Sequence, residues 1–286
     1  MKPELTLKSA LFEPEKLDEY ALYLSFEASG LHYAIVRVKD RRLLYVQDYQ
    51  FPTTSNTTDL LSSLTQVFEQ DWYLKANFWQ SVNIICHTEA FTLVPISVYQ
   101  ASRAQEYLSW VSSSTLPTEP AHFTLHPIKA QLLSNIRQDY VEWFKKMYPT
   151  GRLSFFPQIF PFLKHVLAHS EKLKKAYVYA ELADNKLFIG VWRNLKLELC
   201  NEYDCPTAQD VSYFILLVMD ELRLEREECE LKLLGKISPV SEVVRLLRTY
   251  IRHVSIGHGK PAWLEMGSEF DNQPYHYYAD LFAMAL

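Results

Sequence analysis

The sequence predicts an α/β protein built from two tandem copies of one β-β-β-α-β-α-β-α unit, the first carrying an insertion. Three observations carry that prediction. Residues 20–52, YALYLSFEASGLHYAIVRVKDRRLLYVQDYQFP, are three short apolar runs parted by turns at 27–30 (Glu-Ala-Ser-Gly) and 39–42 (Lys-Asp-Arg-Arg). Residues 174–206, KAYVYAELADNKLFIGVWRNLKLELCNEYDCP, repeat the pattern, with turns at Ala183-Asp184-Asn185 and Arg193-Asn194. An offset of 154 residues superposes the two without a gap, setting Tyr23 on Tyr177, Glu27 on Glu181, Ile35 on Ile189, Leu43 on Leu197, Tyr49 on Tyr203 and Pro52 on Pro206.

Each element has a local reason. Residues 1–19 read as a polar lead-in. A hairpin over 20–27 and 31–38 turns at Ser29-Gly30, where glycine supplies positive φ, and 43–51 is the third strand, ended by Pro52. A polar loop at 53–58 leads to Leu60, Leu61, Leu64, Val67 and Phe68 at helical spacing, capped by Thr58 or Asp59. The apolar run 82–86 is a central, parallel fourth strand. An inserted subdomain follows at about 89–127, with strand-like segments at 91–94 and 122–126 and a helix over 101–111. The spacing then predicts a long amphipathic helix over 128–148, a strand at 153–156 and a helix over 159–169. In the second copy Thr207 caps a helix reaching about 224 with Val211, Phe214, Ile215, Val218 and Leu222 inward. A strand at 231–234, a helix over 240–250, a strand at 253–256 and a last element at 277–286 complete it.

Composition bounds the function. The chain has 286 residues, enough for two cores; 48% are hydrophobic and 22% charged, as in an ordinary folded protein. The 14% aromatic share predicts large cores or an aromatic-lined interface. A net charge of -5 argues against a broad nucleic-acid footprint. No apolar run reaches the roughly 18 to 20 residues of a membrane span, no signal-peptide block opens the chain, and the four cysteines form no secreted disulfide framework. The expected location is cytoplasmic.

The order β-β-β-α-β-α-β-α is that of the ribonuclease-H-like unit. Two tandem ribonuclease-H-like domains facing a cleft, here 1–170 with its insertion and 171–286, make the actin-like ATPase fold. On this ground the sequence resembles the actin-like superfamily, and more narrowly a bacteroidete family of unknown function with an actin-like ATPase fold; by architecture its better-known relatives would be the pilus-assembly and cell-division members. The resemblance implies ATP and Mg²⁺, held by an Asp-x-Gly turn after the first strand of each half and a Gly-Gly pair after the fourth strand of the second. This sequence departs from each motif. The first turn offers Glu27, Ser29 and Gly30, with a longer acid and the glycine one place late. The second offers Glu181 and Asp184 but no glycine. The third position keeps one glycine, Gly235. Each lost backbone contact to a charged phosphate forfeits about 1.5 to 3 kcal/mol. The expectation is therefore a degenerate, non-hydrolysing member that holds no cofactor and acts as a scaffold for an unidentified protein partner. The alternative is an ATP/Mg²⁺-binding ATPase that uses these six residues. Under the repeat, Glu27 and Glu181 are equivalent.

Other candidates have plainer readings. Glu27, Glu69 and Glu89 approximate a nuclease's carboxylates but read as solvated acids. Cys86, Cys200, Cys205 and Cys229 lack the paired spacing of a zinc site. Gly257-His258-Gly259-Lys260 lacks the spacing of a phosphate loop, and Lys172, Lys174 and Lys175 read as a solubilising surface cluster. Trp72, Tyr73, Phe78 and Trp79, and Tyr275, Tyr277, Tyr278 and Phe282, are candidate partner surfaces or core.

Overall fold

The structure, a computed structural model, describes residues 1–52, 57–88, 90–112, 116–170 and 175–286, with backbone alone at 57–59 and 170. The loop residues 53–56, the capping side chains of Thr58 and Asp59, Glu89, Lys172 and Lys174 lie outside the described residues. In chain order the elements are β1 (Leu5–Lys8), β2 (Tyr20–Glu27), β3 (Gly30–Arg37), β4 (Arg42–Gln50), α1 (Thr57–Gln70), α2 (Trp72–Lys75), β5 (Ser81–Cys86), β6 (Phe91–Pro95), α3 (Ala104–Ser109), β7 (Thr118–Leu125), β8 (Ala130–Arg137), α4 (Gln138–Met147), β9 (Leu153–Pro157) and α5 (Ile159–Ser170). There follow β10 (Tyr177–Ala183), β11 (Lys186–Arg193), β12 (Lys196–Asp204), α6 (Ala208–Glu221), β13 (Glu230–Gly235), α7 (Glu242–Tyr250), β14 (His253–Ile256) and α8 (Ala279–Met284). The chain packs as two compact units. One holds Met1–Pro161, Ala262–Gln273 and Asp280–Leu286; the other holds Phe162–Pro261 and Pro274–Ala279.

Among the described residues the first unit's main sheet runs β1-β4-β3-β2-β5-β9 and the second unit's β12-β11-β10-β13-β14. Apart from β1 the two orders are the same, as are the directions: three antiparallel strands, then two parallel ones. On β4 the apolar run 43–46 is fully buried, and on β2 Leu22, Leu24, Ser25 and Phe26 are buried with Tyr23 half-buried, the mark of strands covered on both faces. Leu22, Leu24, Phe26, Leu64, Phe68, Ile84, Val141 and Phe144 share one core, and Val178, Ile189, Ile215, Leu231, Leu233 and Val244 share the other.

The repeat is real but its register differs from the gapless one. At the hairpin tips Glu27 pairs with Gly30 and Ala183 with Lys186; at the far ends Arg37 pairs with Arg42 and Arg193 with Lys196. A bulge follows Ile35 in one copy and Val191 in the other. Strands β2 and β3 thus correspond to β10 and β11 at an offset of 156 (Glu27 to Ala183, Arg37 to Arg193), while β4 corresponds to β12 at 154 (Arg42 to Lys196). The difference is absorbed by the second turn. It spans 38–41 in the first copy but only Asn194 and Leu195, both left-handed, in the second. A slip of two residues leaves every side chain on its own face, so the apolar pattern alone does not register it. Glu181 therefore corresponds to Ser25, and the Glu27–Glu181 equivalence does not hold.

Two further expectations change. The lead-in contains β1, which pairs antiparallel with β4 and covers that edge of the sheet. The predicted helix over 128–148 is a strand and a helix: β8 lies between β6 and β7 in a three-stranded sheet, and helix starts only at Gln138. In β8 both faces are covered, the run Ala130–Ser134 being buried, which erases the alternation that would announce a strand. Left-handed Lys129 turns the chain back from β7 into β8. The insertion has its own small core of Val94, Tyr107, Leu108 and Leu133.

Between α1 and β5 the chain is pinned by Asp71. Its buried carboxylate accepts from the hydroxyls of Tyr33 and Tyr49 (2.8 Å each), from Gln47 Nε2 (3.0 Å) and from the N–H groups of Tyr73 (2.8 Å) and Leu74 (3.2 Å), capping α2. Burial, then the Asp71 charge, pushes the Tyr33 and Tyr49 hydroxyls well above their usual range.

Candidate functional site

In the first unit, Glu27 ends β2 half-buried and Ser29 sits exposed in a two-residue turn. Gly30 opens β3 and does not have positive φ, contrary to its expected turn role. Its need for glycine is a close approach: a Cβ there would lie 2.2 Å from the carbonyl oxygen of Tyr49 on β4. Ser29 carbonyl accepts the Phe51 N–H at 2.8 Å, so the same corner is tied into the β3–β4 ladder.

In the second unit, Glu181 is buried within β10, opposite Phe188 of β11 and Leu234 of β13. Asp184 is exposed in the β10–β11 turn with φ 46°, a left-handed position that Asp tolerates. Gly235 ends β13 at φ 88°, and a Cβ on it would meet the Leu182 carbonyl oxygen at 2.0 Å. Here too glycine answers a strand–strand contact, between β13 and its parallel neighbour β10.

The remaining candidates separate by burial. Glu69 is exposed. Burial pushes the cysteine thiols up, Cys229 to about 11 and Cys205 to about 12, with Cys86 and Cys200 higher, so none is a thiolate at neutral pH. Trp79, Tyr278 and Phe282 are core residues. Trp72 and Phe78 are exposed by 60% and 76% and line a cavity of about 820 Å³ with Pro14, Leu17 and Ala76.

The structure also assembles a constellation that the sequence reading did not single out. His165 and His169 lie one turn apart on α5, and His258 follows β14 by two residues. One ring nitrogen from each lies within 4.8 Å of those of the other two. His169 stacks on His258 with ring centroids 3.7 Å apart, and Tyr179 flanks His258 at 6.0 Å. His169 Nδ1 lies 2.8 Å from the His165 carbonyl oxygen, to which it donates. Residue 257 is fixed to β13 from both sides: its N–H donates to Leu233 carbonyl (2.8 Å) and its carbonyl accepts from Lys232 Nζ (3.0 Å). Burial, followed by the neighbouring imidazoles and Lys232, holds His165 well below the ordinary histidine range and takes His258 to about 3; burial also lowers His169. The signal available in the sequence was His-x-x-x-His at 165–169, but the third member comes from a loop distant in the chain.

Comparison with known proteins places the fold. A structure of a protein of unknown function with an actin-like ATPase fold, from Bacteroides thetaiotaomicron VPI-5482, is similar over 96% of this chain and 99% of its own, with TM-score 0.80 and 18% identity. The PilM–PilN type IV pilus biogenesis complex matches over 93% of this chain and 96% of that one, with TM-score 0.61 and 13% identity. At these identities the likeness establishes the fold: this is an α/β protein with an actin-like ATPase fold. A search of curated proteins finds no match. No helix among the described residues is long and apolar enough to cross a membrane. The family model for a protein of unknown function, DUF3822, matches residues 9–254, so the chain belongs to the DUF3822 family.

Proposed function

We propose that this DUF3822 protein is a cytoplasmic actin-like protein that has lost ATP turnover and acts by binding a protein partner, its body being two ribonuclease-H-like domains whose boundary lies near residue 161 and not at 170, with the chain's last residues returning to the first. The observation that carries the reading is what surrounds its motif glycines. Gly30 and Gly235, the glycines available for a phosphate turn and an adenosine platform, each have a neighbouring strand's carbonyl where a side chain would go. The second turn, Ala183-Asp184-Asn185, has no glycine. Glycines held by the sheet's own packing account for their presence without a nucleotide, and a second turn without glycine lacks the residue that lets backbone N–H groups approach a phosphate closely. The free thiols of Cys86, Cys200, Cys205 and Cys229 suit a reducing compartment. That PilM is found in a complex with PilN supports a protein partner as this chain's mode of action.

The competing reading is an ATP/Mg²⁺-binding ATPase using Glu27, Ser29, Gly30, Glu181, Asp184 and Gly235; what favours it is that Ser29 and Asp184 stand exposed at their turns. A thermal-shift titration with ATP and Mg²⁺ decides. A ligand at one hundred times its Kd adds about 2.7 kcal/mol, a shift of several degrees in Tm. The expected result is no shift at millimolar nucleotide. A saturable rise in Tm that Ser29→Glu abolishes would overturn the proposal. Gly235 is unsuited to this test, because any side chain there collides with Leu182.

A further inference from the structure

We propose that His165, His169 and His258 form a three-imidazole site for a borderline divalent metal ion, Zn²⁺ first among them, with its fourth position open. The geometry carries the assignment. Two ligands one helical turn apart on α5 present their rings on one face, and the third is delivered from the end of β14 by a loop anchored to β13 through residue 257. The three ring nitrogens already lie within 4.8 Å of one another. A zinc with N ligands at 2.0 to 2.1 Å asks for a contraction of roughly 1 Å and a turn of the His258 ring out of its stack, along a soft terminal torsion.

Hydrogen bonding independently selects the donor atom. His169 donates its Nδ1 hydrogen to the His165 carbonyl, which leaves the Nε2 lone pair free of a proton. A backbone carbonyl in that role is the usual orienting partner of a metal-bound histidine. His258 Nε2 is buried and has no hydrogen-bond partner among the described residues, an arrangement that costs free energy unless something else satisfies that nitrogen. An imidazole-only set suits Zn²⁺, Co²⁺, Ni²⁺ or Cu²⁺, and not Mg²⁺ or Ca²⁺, which prefer oxygen. Three uncharged ligands leave the ion its full charge beside Lys232, so the open position favours an anionic oxygen, such as hydroxide. This site is separate from the nucleotide question: it uses none of the six motif residues.

The test is titration of the chelator-treated full chain with Co²⁺ followed by visible absorption, and with Zn²⁺ by competition. The expected result is one ion per chain and a tetrahedral or five-coordinate Co²⁺ spectrum. Affinity should fall by about 100-fold or more in His169→Ala and in His258→Ala and stay unchanged in His253→Ala, an exposed histidine on β14. Far-UV circular dichroism reports whether each variant folds. A readout that needs no variant is acylation of histidines in the natural chain, located by mass spectrometry: Zn²⁺ should protect His169 and His258 but not His253. Absence of stoichiometric binding, equal affinity in the His169 and His258 variants, or labelling unaltered by Zn²⁺ would each overturn the site.

Discussion

Single residues in this protein are fixed by what lies against them more than by their type. Gly30 reads in the sequence as a turn glycine, yet the constraint on it is the Tyr49 carbonyl 2.2 Å from where a Cβ would sit. Gly30→Ala is therefore expected to destabilise by at least about 1 to 3 kcal/mol, the cost of forcing extra atoms into a packed site, here against backbone that cannot rotate away. Gly259, with nothing within 4 Å of its Cβ position and no positive φ, is the internal control: Gly259→Ala should stay within about 0.5 kcal/mol of the natural protein. Urea unfolding of the two variants separates them. Asp71 teaches the same lesson for a polar residue. Its neighbourhood marks only the α2 cap, through the N–H groups of Tyr73 and Leu74, but three side chains from β3 and β4 converge on the same carboxylate.

At the scale of elements, local chemistry and tertiary cover compete. Helix α6 follows local chemistry: Thr207 and Asp210 form a reciprocal capping box, each side chain serving the other's backbone N–H. Thr207→Ala should cost about 1 kcal/mol. The cap is exposed, so the loss should show in thermal unfolding without altering the core; an unchanged Tm would mean that packing of Val211, Ile215 and Val218 alone starts the helix. Strand β8 shows the other outcome. Its run of apolar residues fits a helical face as well as a strand buried on both sides, and the hydrogen bonds of β6 and β7 decide between them.

At the scale of the molecule, the chain's end is held by the first unit, to which Asp280–Leu286 belongs. Asp280, on α8, accepts at 2.9 and 3.1 Å from His32 Nε2 on β3, and Trp263 Nε1 donates to the Phe282 carbonyl at 2.9 Å. Burial alone would raise the Asp280 carboxyl; the His32 ring, the Ser25 hydroxyl and the Leu281 N–H outweigh it and hold the pKa below the usual carboxylate range. A carboxyl depressed in the folded state stabilises the fold fully above its unfolded pKa of about 3.9 and loses that contribution as pH falls through the folded value. Stability should hold from neutral pH down to about pH 4 and fall below it. Asp280→Asn should be less stable at pH 7 while losing less on acidification. Urea unfolding of both proteins at pH 7 and pH 3 measures the difference, and equal acid sensitivity would remove Asp280 as its source.

The sequence by itself determined the α/β class, the doubled unit and most elements, because turn residues, helical spacing and apolar runs are local properties written into adjacent positions. It left the true register of the first hairpins open, since a slip of two residues preserves every face and only the hydrogen-bond ladder distinguishes 154 from 156. It was silent on why Gly30 and Gly235 are glycines, on the Asp71 network and on the meeting of His165, His169 and His258. Those are contacts between segments far apart in the chain, and only the folded sheet, by fixing which carbonyl or ring faces which, could decide them.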